Sequence, residues 1–202
     1  MTRSFILAVF ILLISFSTLQ ASSNKALDGL ELLRKGFADV NDFSAEIIQE
    51  KQLSLLKRTQ TARGVIRFRR PGLFYMELYP PYASRLLLND NILDLYLVKE
   101  KISQHLVLPP DQSLKYWFEL VSRPVVKLPD GVDIRADQSG PNCTLTITPR
   151  TKGQVKSFVV TLTGEGRLKK LVIEEQNRDR TVITIQNMVK NRGVADKDFR
   201  LQ

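Results

Sequence analysis

Apolar and polar residues alternate along most of this chain, with two stretches that switch to a helical repeat. Leu27, Leu30, Leu33 and Phe37 recur at helical spacing, predicting a helix over residues 26–40 with Ser23 or Asn24 as its cap. Period-two runs follow. Phe43, Ala45 and Ile47 alternate with Ser44, Glu46 and Ile48. Residues 63–70 and 73–78 read as strands, with Phe74, Met76 and Leu78 on one face of the second. Residues 85–89 and 92–98 form a hairpin around Asn89-Asp90-Asn91, where Asn accepts a positive φ. Further strands are expected at 132–136, 143–148, 157–163, 168–175 and 181–188. They are separated by Ser139-Gly140-Pro141, Gly164-Glu165-Gly166 and Asn177-Arg178-Asp179. Short loops between successive strands imply an antiparallel sheet, and so many strands imply one that curls like a barrel.

The second helical stretch interrupts the strands. After Pro109-Pro110-Asp111, the residues Leu114, Trp117, Phe118 and Val121 occupy the i, i+3, i+4, i+7 positions of one face, and Pro124 ends the run. Set between two groups of strands, this helix either covers the open end of the curled sheet or packs immovably on its core. The pattern leaves both open.

One position breaks the strand pattern. Ile66 and Phe68 point to one face and Val65, Arg67 and Arg69 to the other, so Arg70 falls in phase with the apolar set, just before Pro71-Gly72. A guanidinium facing an apolar interior is costly unless its donors find partners. Either Arg70 is a polar latch inside a greasy cavity, or the strand ends at Arg69 and Arg70 turns to water. Periodicity alone does not choose.

The chain begins Met1-Thr2-Arg3, continues with an apolar run from Phe5 to Ile14, and reaches small and polar residues by Ala21. That layout predicts a signal peptide over residues 1–21, cleaved after Ala21, and export to the periplasm as one domain of residues 22–202. The apolar run is shorter than the ~20 residues a bilayer span needs. No cysteine follows the cleavage position to carry a lipid anchor. Cys143 is the single cysteine, which excludes an internal disulfide. The net charge of +9, scattered along an exported chain, argues against nucleic acid and leaves two readings open: attraction to an anionic membrane surface or acidic partners, or a merely solvated basic surface.

Candidate chemistry is sparse. The single histidine, His105, stands in Ser103-Gln104-His105-Leu106 with no nucleophile motif around it. No metal cluster, calcium loop or phosphate-cradling glycine loop is spelled out, and no cofactor is expected. Glu174 and Glu175 are strand neighbours that point to opposite faces. An enzyme is not expected.

The order of these parts resembles the outer-membrane lipoprotein carrier (LolA) family. The resemblance rests on Asp42-Phe43-Ser44-Ala45, on Arg63-Gly64-Val65-Ile66-Arg67-Phe68-Arg69-Arg70-Pro71-Gly72-Leu73-Phe74, and on Pro149-Arg150 before Phe158-Val159-Val160. It continues through Glu174-Glu175-Gln176-Asn177-Arg178-Asp179-Arg180 and Val194-Ala195-Asp196-Lys197-Asp198-Phe199. It implies an α+β fold: an incomplete, strongly curled antiparallel β-barrel with helices forming a lid over an apolar cavity. It further implies a monomeric periplasmic chaperone that takes the acyl chains of lipoproteins from an inner-membrane ABC transporter to an outer-membrane receptor. Arg70 would hydrogen-bond lid backbone and hold the empty state closed. Phe74 would stand near the cavity mouth. The expected acyl-chain site is Arg70 with Phe68, Phe74, Met76 and Leu78, faced by Leu114, Trp117, Phe118 and Val121 from the lid. Met76 and Asp90-Asn91 depart from the family's usual tryptophan and Asp-Gly turn. The alternatives are a carrier of another apolar lipid, such as a glycolipid or pigment lipid, and a lipid-sensing regulatory module.

Overall fold

Eleven strands pair in a single antiparallel sheet in the order β6-β5-β4-β3-β2-β1-β11-β10-β9-β8-β7. The computed structural model describes residues 24–108, 113–115, 119, 123–151 and 153–201. The strands are β1 Asp42–Leu53, β2 Arg58–Arg69, β3 Leu73–Leu78, β4 Ser84–Asn89, β5 Ile92–Leu97 and β6 Ile102–Val107. The second group is β7 Val132–Ser139, β8 Asn142–Pro149, β9 Val155–Thr163, β10 Leu168–Glu175 and β11 Arg180–Lys190. Helix α1 covers residues 24–37, and Asp196–Phe199 forms a single 3-10 turn.

All neighbours are hairpin partners except β1 and β11, which join the first and last strands. The sheet therefore has two free edges, β6 and β7, and the chain between them must pass from one edge to the other. The barrel is incomplete because β6 and β7 do not pair.

Residues directly opposite across an antiparallel pair share a face, so the register assigns the inner wall. Phe43 pairs with Phe68, Ala45 with Ile66 and Ile47 with Gly64. Phe68 pairs with Phe74 and Ile66 with Met76. Phe43, Ala45, Ile47, Ile66, Phe68 and Leu78 form one buried cluster with Val40 and Ala62, and the Phe43 and Phe68 rings stack at 5.4 Å. A second cluster gathers Ala26 of α1 with Ile134, Cys143, Leu145 and Leu162. Burial there raises the Cys143 thiol pKa.

Helix α1 lies on this inner face, and at 1.5 Å per residue it is about 21 Å long. That matches the four strand spacings of ~4.8 Å between β8 and β1. Gly29 sits where a Cβ would meet Leu145 at 2.5 Å, and Gly36 where one would meet the Gly166 carbonyl oxygen at 2.0 Å. The helix thus approaches the sheet more closely than any side chain permits. Gly166 itself has φ +78°, a conformation glycine adopts without strain.

Several expectations shift. The predicted helix ends at 37 rather than 40, with a turn at 38 and 39. Strands β1 and β2 run much longer than their apolar patterns, to Leu53 and from Arg58. Strand β6 has no counterpart in the sequence reading. Its residues Ile-Ser-Gln-His-Leu-Val are all exposed at the sheet edge, so burial left little pattern to read. Of the second helix, residues 114, 115 and 119 are helical. Trp117, Phe118 and Val121, and the whole expected signal peptide, lie outside the described residues.

Candidate apolar binding face

The inner wall continues beyond both clusters as half-buried aliphatic side chains. On one side, Met76 pairs with Leu86 and Phe74 with Leu88. Leu86 then pairs with Leu95 and Leu88 with Leu93. On the other, Ile183 faces Leu171, which faces Val160, and Ile173 faces Phe158. These residues are neither closed into the core nor open to water. A wall of leucine, isoleucine and phenylalanine with no charge on it offers hydrocarbon a surface and gives polar solutes no partner. Two cavities of about 340 Å³ each are present, one on the outer face beside Asp94, His105 and Leu201, and the other at the inner margin beside the first turns of α1, next to Ala136 and Cys143.

Arg70 stands just past the end of β2. Its backbone N–H donates to the Asn41 carbonyl at 2.8 Å, extending the β1–β2 ladder by one step. Its guanidinium turns back rather than outward, and Nη2 donates to the carbonyls of Phe37 at 3.2 Å and Ala38 at 3.1 Å. Both sequence alternatives are therefore partly met: the strand does end at Arg69, and the side chain still points inward. Lys190, paired with Phe43 across β1 and β11, donates from Nζ to the Gly36 carbonyl at 2.6 Å. Its ammonium lies 5.6 Å from the Phe37 ring centroid, and burial lowers its pKa. Two cations from different strands thus cap three successive carbonyls where α1 ends. The helix dipole concentrates negative potential there.

A polar clamp holds the same corner. The buried carboxylate of Asp42 accepts from the backbone N–H groups of Arg192 at 3.0 Å and Gly193 at 3.1 Å. Asn191 accepts from the Asn41 N–H at 2.8 Å and donates to the Asp39 carbonyl at 2.8 Å. Farther along α1, Glu31 binds Arg34 through two contacts of 2.8 Å and accepts from the Val125 N–H at 3.3 Å. The Arg34 guanidinium holds the Glu31 carboxyl down at about 2.

The expected site residues divide. Phe74 and Met76 are half-buried on the inner wall. Phe68 and Leu78 point the same way but are closed into the core, at 1% and 6% exposure. Leu114 is half-buried and helical, and its N–H donates to the Asp90 carbonyl at 3.0 Å, tying that segment to the β4–β5 turn. Sequence reasoning missed Lys190 and the wall of Leu86, Leu88, Leu93, Leu95, Leu171, Ile173 and Ile183. Alternation in residues 92–98 and 168–175 was the available signal for the wall. Nothing local marked Lys190. His105 pairs with Asp94 at 2.7 Å on the outer face, away from the apolar wall.

An open, curled antiparallel sheet with an apolar inner wall and a helix across it defines a binding protein for apolar ligands. The model of the family described as outer membrane lipoprotein carrier protein LolA matches residues 38–202, and the chain belongs to that family. No curated protein matches it. Among solved structures, it is similar to a DUF1329 family protein from Desulfovibrio piger. That pair shares 14% identity over 88% of this chain and 99% of the other, with a TM-score of 0.48. It is also similar to a LolA superfamily protein from Nitrosomonas europaea, at 12% identity over 87% and 97%, with a TM-score of 0.47. A third is a putative outer membrane lipoprotein-sorting protein domain from Vibrio parahaemolyticus, at 12% identity over 86% and 97%, with a TM-score of 0.45. Among the described residues, no helix is long and apolar enough to cross a membrane.

Proposed function

We propose that this protein is a periplasmic chaperone that shelters the acyl chains of lipoproteins against its inner wall and carries them from the inner to the outer membrane. It would receive them from an inner-membrane ABC transporter and deliver them to an outer-membrane receptor. The observation that carries this reading is the half-buried aliphatic wall on the inner face, part of it spanned by a helix whose end is held by Arg70 and Lys190.

Affinity has to be limited for such a carrier to unload. Burying one CH₂ is worth ~0.8 kcal/mol, so a chain of about 16 carbons contributes roughly 12 kcal/mol. Three chains fully buried would pass the non-covalent ceiling of about 18–21 kcal/mol. Incomplete burial offsets part of this. Displacing α1 offsets more, because it breaks charge-assisted hydrogen bonds worth ~1.5–3 kcal/mol each. Arg70 is thereby a latch that favours the empty, closed state.

The test is mass spectrometry of material co-purified with the protein from a native periplasm. Triacylated lipoprotein is the expected species. A glycolipid or pigment lipid in its place would move the protein to a different cargo, and a protein recovered free of lipid under all conditions would end the carrier reading.

A further inference from the structure

Strands β1 and β2 pair at every position from Asp42↔Arg69 to Leu53↔Arg58, whereas β3 accompanies β2 only from Gly64 to Arg69. The last half of the β1–β2 hairpin therefore projects past β3. Its tip lies at the far end of the strands from α1, about 36 Å along β1. The tip is the four-residue turn Ser54–Lys57, closed by the Lys57 N–H donating to the Ser54 carbonyl at 3.2 Å. Its two central residues are Leu55 and Leu56, which are 93% and 66% exposed. Central turn positions are normally taken by Pro, Asn, Asp or Gly, each for a conformational reason that leucine does not supply. Neither leucine serves the fold, and both are placed where an apolar side chain meets water most fully.

The surroundings are basic. Lys57 and Arg58 follow directly and are exposed. The β10–β11 turn is held alongside by the Ser54 N–H donating to Asp179 at 2.8 Å, and it brings exposed Arg178 to the same tip. Asp179 is engaged with Ser54 and with the Asn177 side chain. Glu50, the nearest other carboxylate on the hairpin, lies back along β1. Adjacent leucines ringed by cations match the boundary of an anionic bilayer, where apolar side chains enter the acyl region and cations stay with phosphates. A protein partner would supply the leucines with a pocket but would not by itself explain the cationic ring.

We propose that the β1–β2 hairpin is a docking arm for anionic membrane surfaces, with Leu55 and Leu56 inserting and Lys57, Arg58 and Arg178 contacting phosphates. This does not depend on which cargo the inner wall carries. The experiment is flotation of protein purified from a periplasm with vesicles of phosphatidylethanolamine and phosphatidylglycerol, against vesicles of phosphatidylcholine alone. Wild-type protein is expected to float with the anionic vesicles. Binding should fall about tenfold in Leu55→Ser/Leu56→Ser, and comparably in Lys57→Gln/Arg58→Gln or at about 0.5 M salt. Circular dichroism and the thermal midpoint should not change, because all four side chains are exposed. Leu95→Glu, which alters the inner wall, should still float, and this separates docking from cargo uptake. Flotation of the leucine variant equal to wild type would overturn the proposal. So would an absence of wild-type flotation, and leucine-dependent self-association or protein capture in its place would assign the tip to a protein contact instead.

Discussion

Arg70 and Lys190 meet at the end of α1 from opposite sides of β1: Arg70 holds the carbonyls of Phe37 and Ala38, and Lys190 holds that of Gly36. Both cations therefore bear on the same helix terminus. Under the proposed function, their joint placement makes the helix terminus a fastening that opens without unfolding the sheet.

Arg70→Leu should tighten cargo retention, because opening no longer breaks its bonds to the helix end. Loaded protein is expected to accumulate, and transfer to acceptor membranes should slow by tenfold or more for each ~1.4 kcal/mol of opening cost removed. A time course of lipoprotein release from preloaded protein measures this. Adding Lys190→Met should give less than the sum of the single effects, since both act on one helix terminus. Unchanged release by Arg70→Leu would remove the latch.

Phe74→Glu should abolish loading. Phe74 is half-buried between Phe68 and Leu88 on the inner wall, so a carboxylate there places a charge on the path of hydrocarbon. Leu95→Glu, farther out on the same wall, should also weaken loading but cost less stability. By contrast, Phe68→Ala should cost ~3–5 kcal/mol of stability through a core cavity. Acyl-probe binding measured beside denaturant unfolding separates the two kinds of effect.

Gly36→Ala should unseat α1. Its Cβ would lie 2.0 Å from the Gly166 carbonyl oxygen, a backbone atom that has no soft way to yield. Overpacking of this kind costs ~1–3 kcal/mol. Hydrogen exchange is expected to quicken across α1 while β1, β2 and β11 keep their protection.

Stability should fall in acid between about pH 4.5 and pH 2 through Glu31. Its carboxyl has a folded pKa of about 2 against an ordinary 4.5, chiefly because Arg34 binds it. The unfolded chain takes up this proton first, so the contribution is present above pH 4.5 and is lost as pH falls toward 2. Glu31→Gln should flatten this part of the pH dependence in thermal unfolding. An identical curve for the variant would assign the acid sensitivity to other groups.

Much of the sheet was legible because most strands bury one face, and a buried face imposes the two-residue period. The phase of Arg70 relative to Ile66 and Phe68 was readable for the same reason. Where burial is absent, the signal fails. Strand β6 is wholly exposed, and the outer halves of β1 and β2 carry Gln52, Thr59 and Gln60 with no core to select against them. Lys190 could not be recognised as a partner of α1, because 154 positions separate it from Gly36 and only the β1–β11 register brings them together. Leu86-Leu87-Leu88 hid the inner wall in a run, although its middle residue faces outward opposite Asp94.

The most direct measurement is co-elution of the protein with a triacylated lipopeptide in size-exclusion chromatography, beside the same peptide without acyl chains. A complex with the acylated peptide alone, weakened by Phe74→Glu and strengthened by Arg70→Leu, is the expected result. Equal retention of both peptides, or of neither, would contradict an inner wall that binds hydrocarbon.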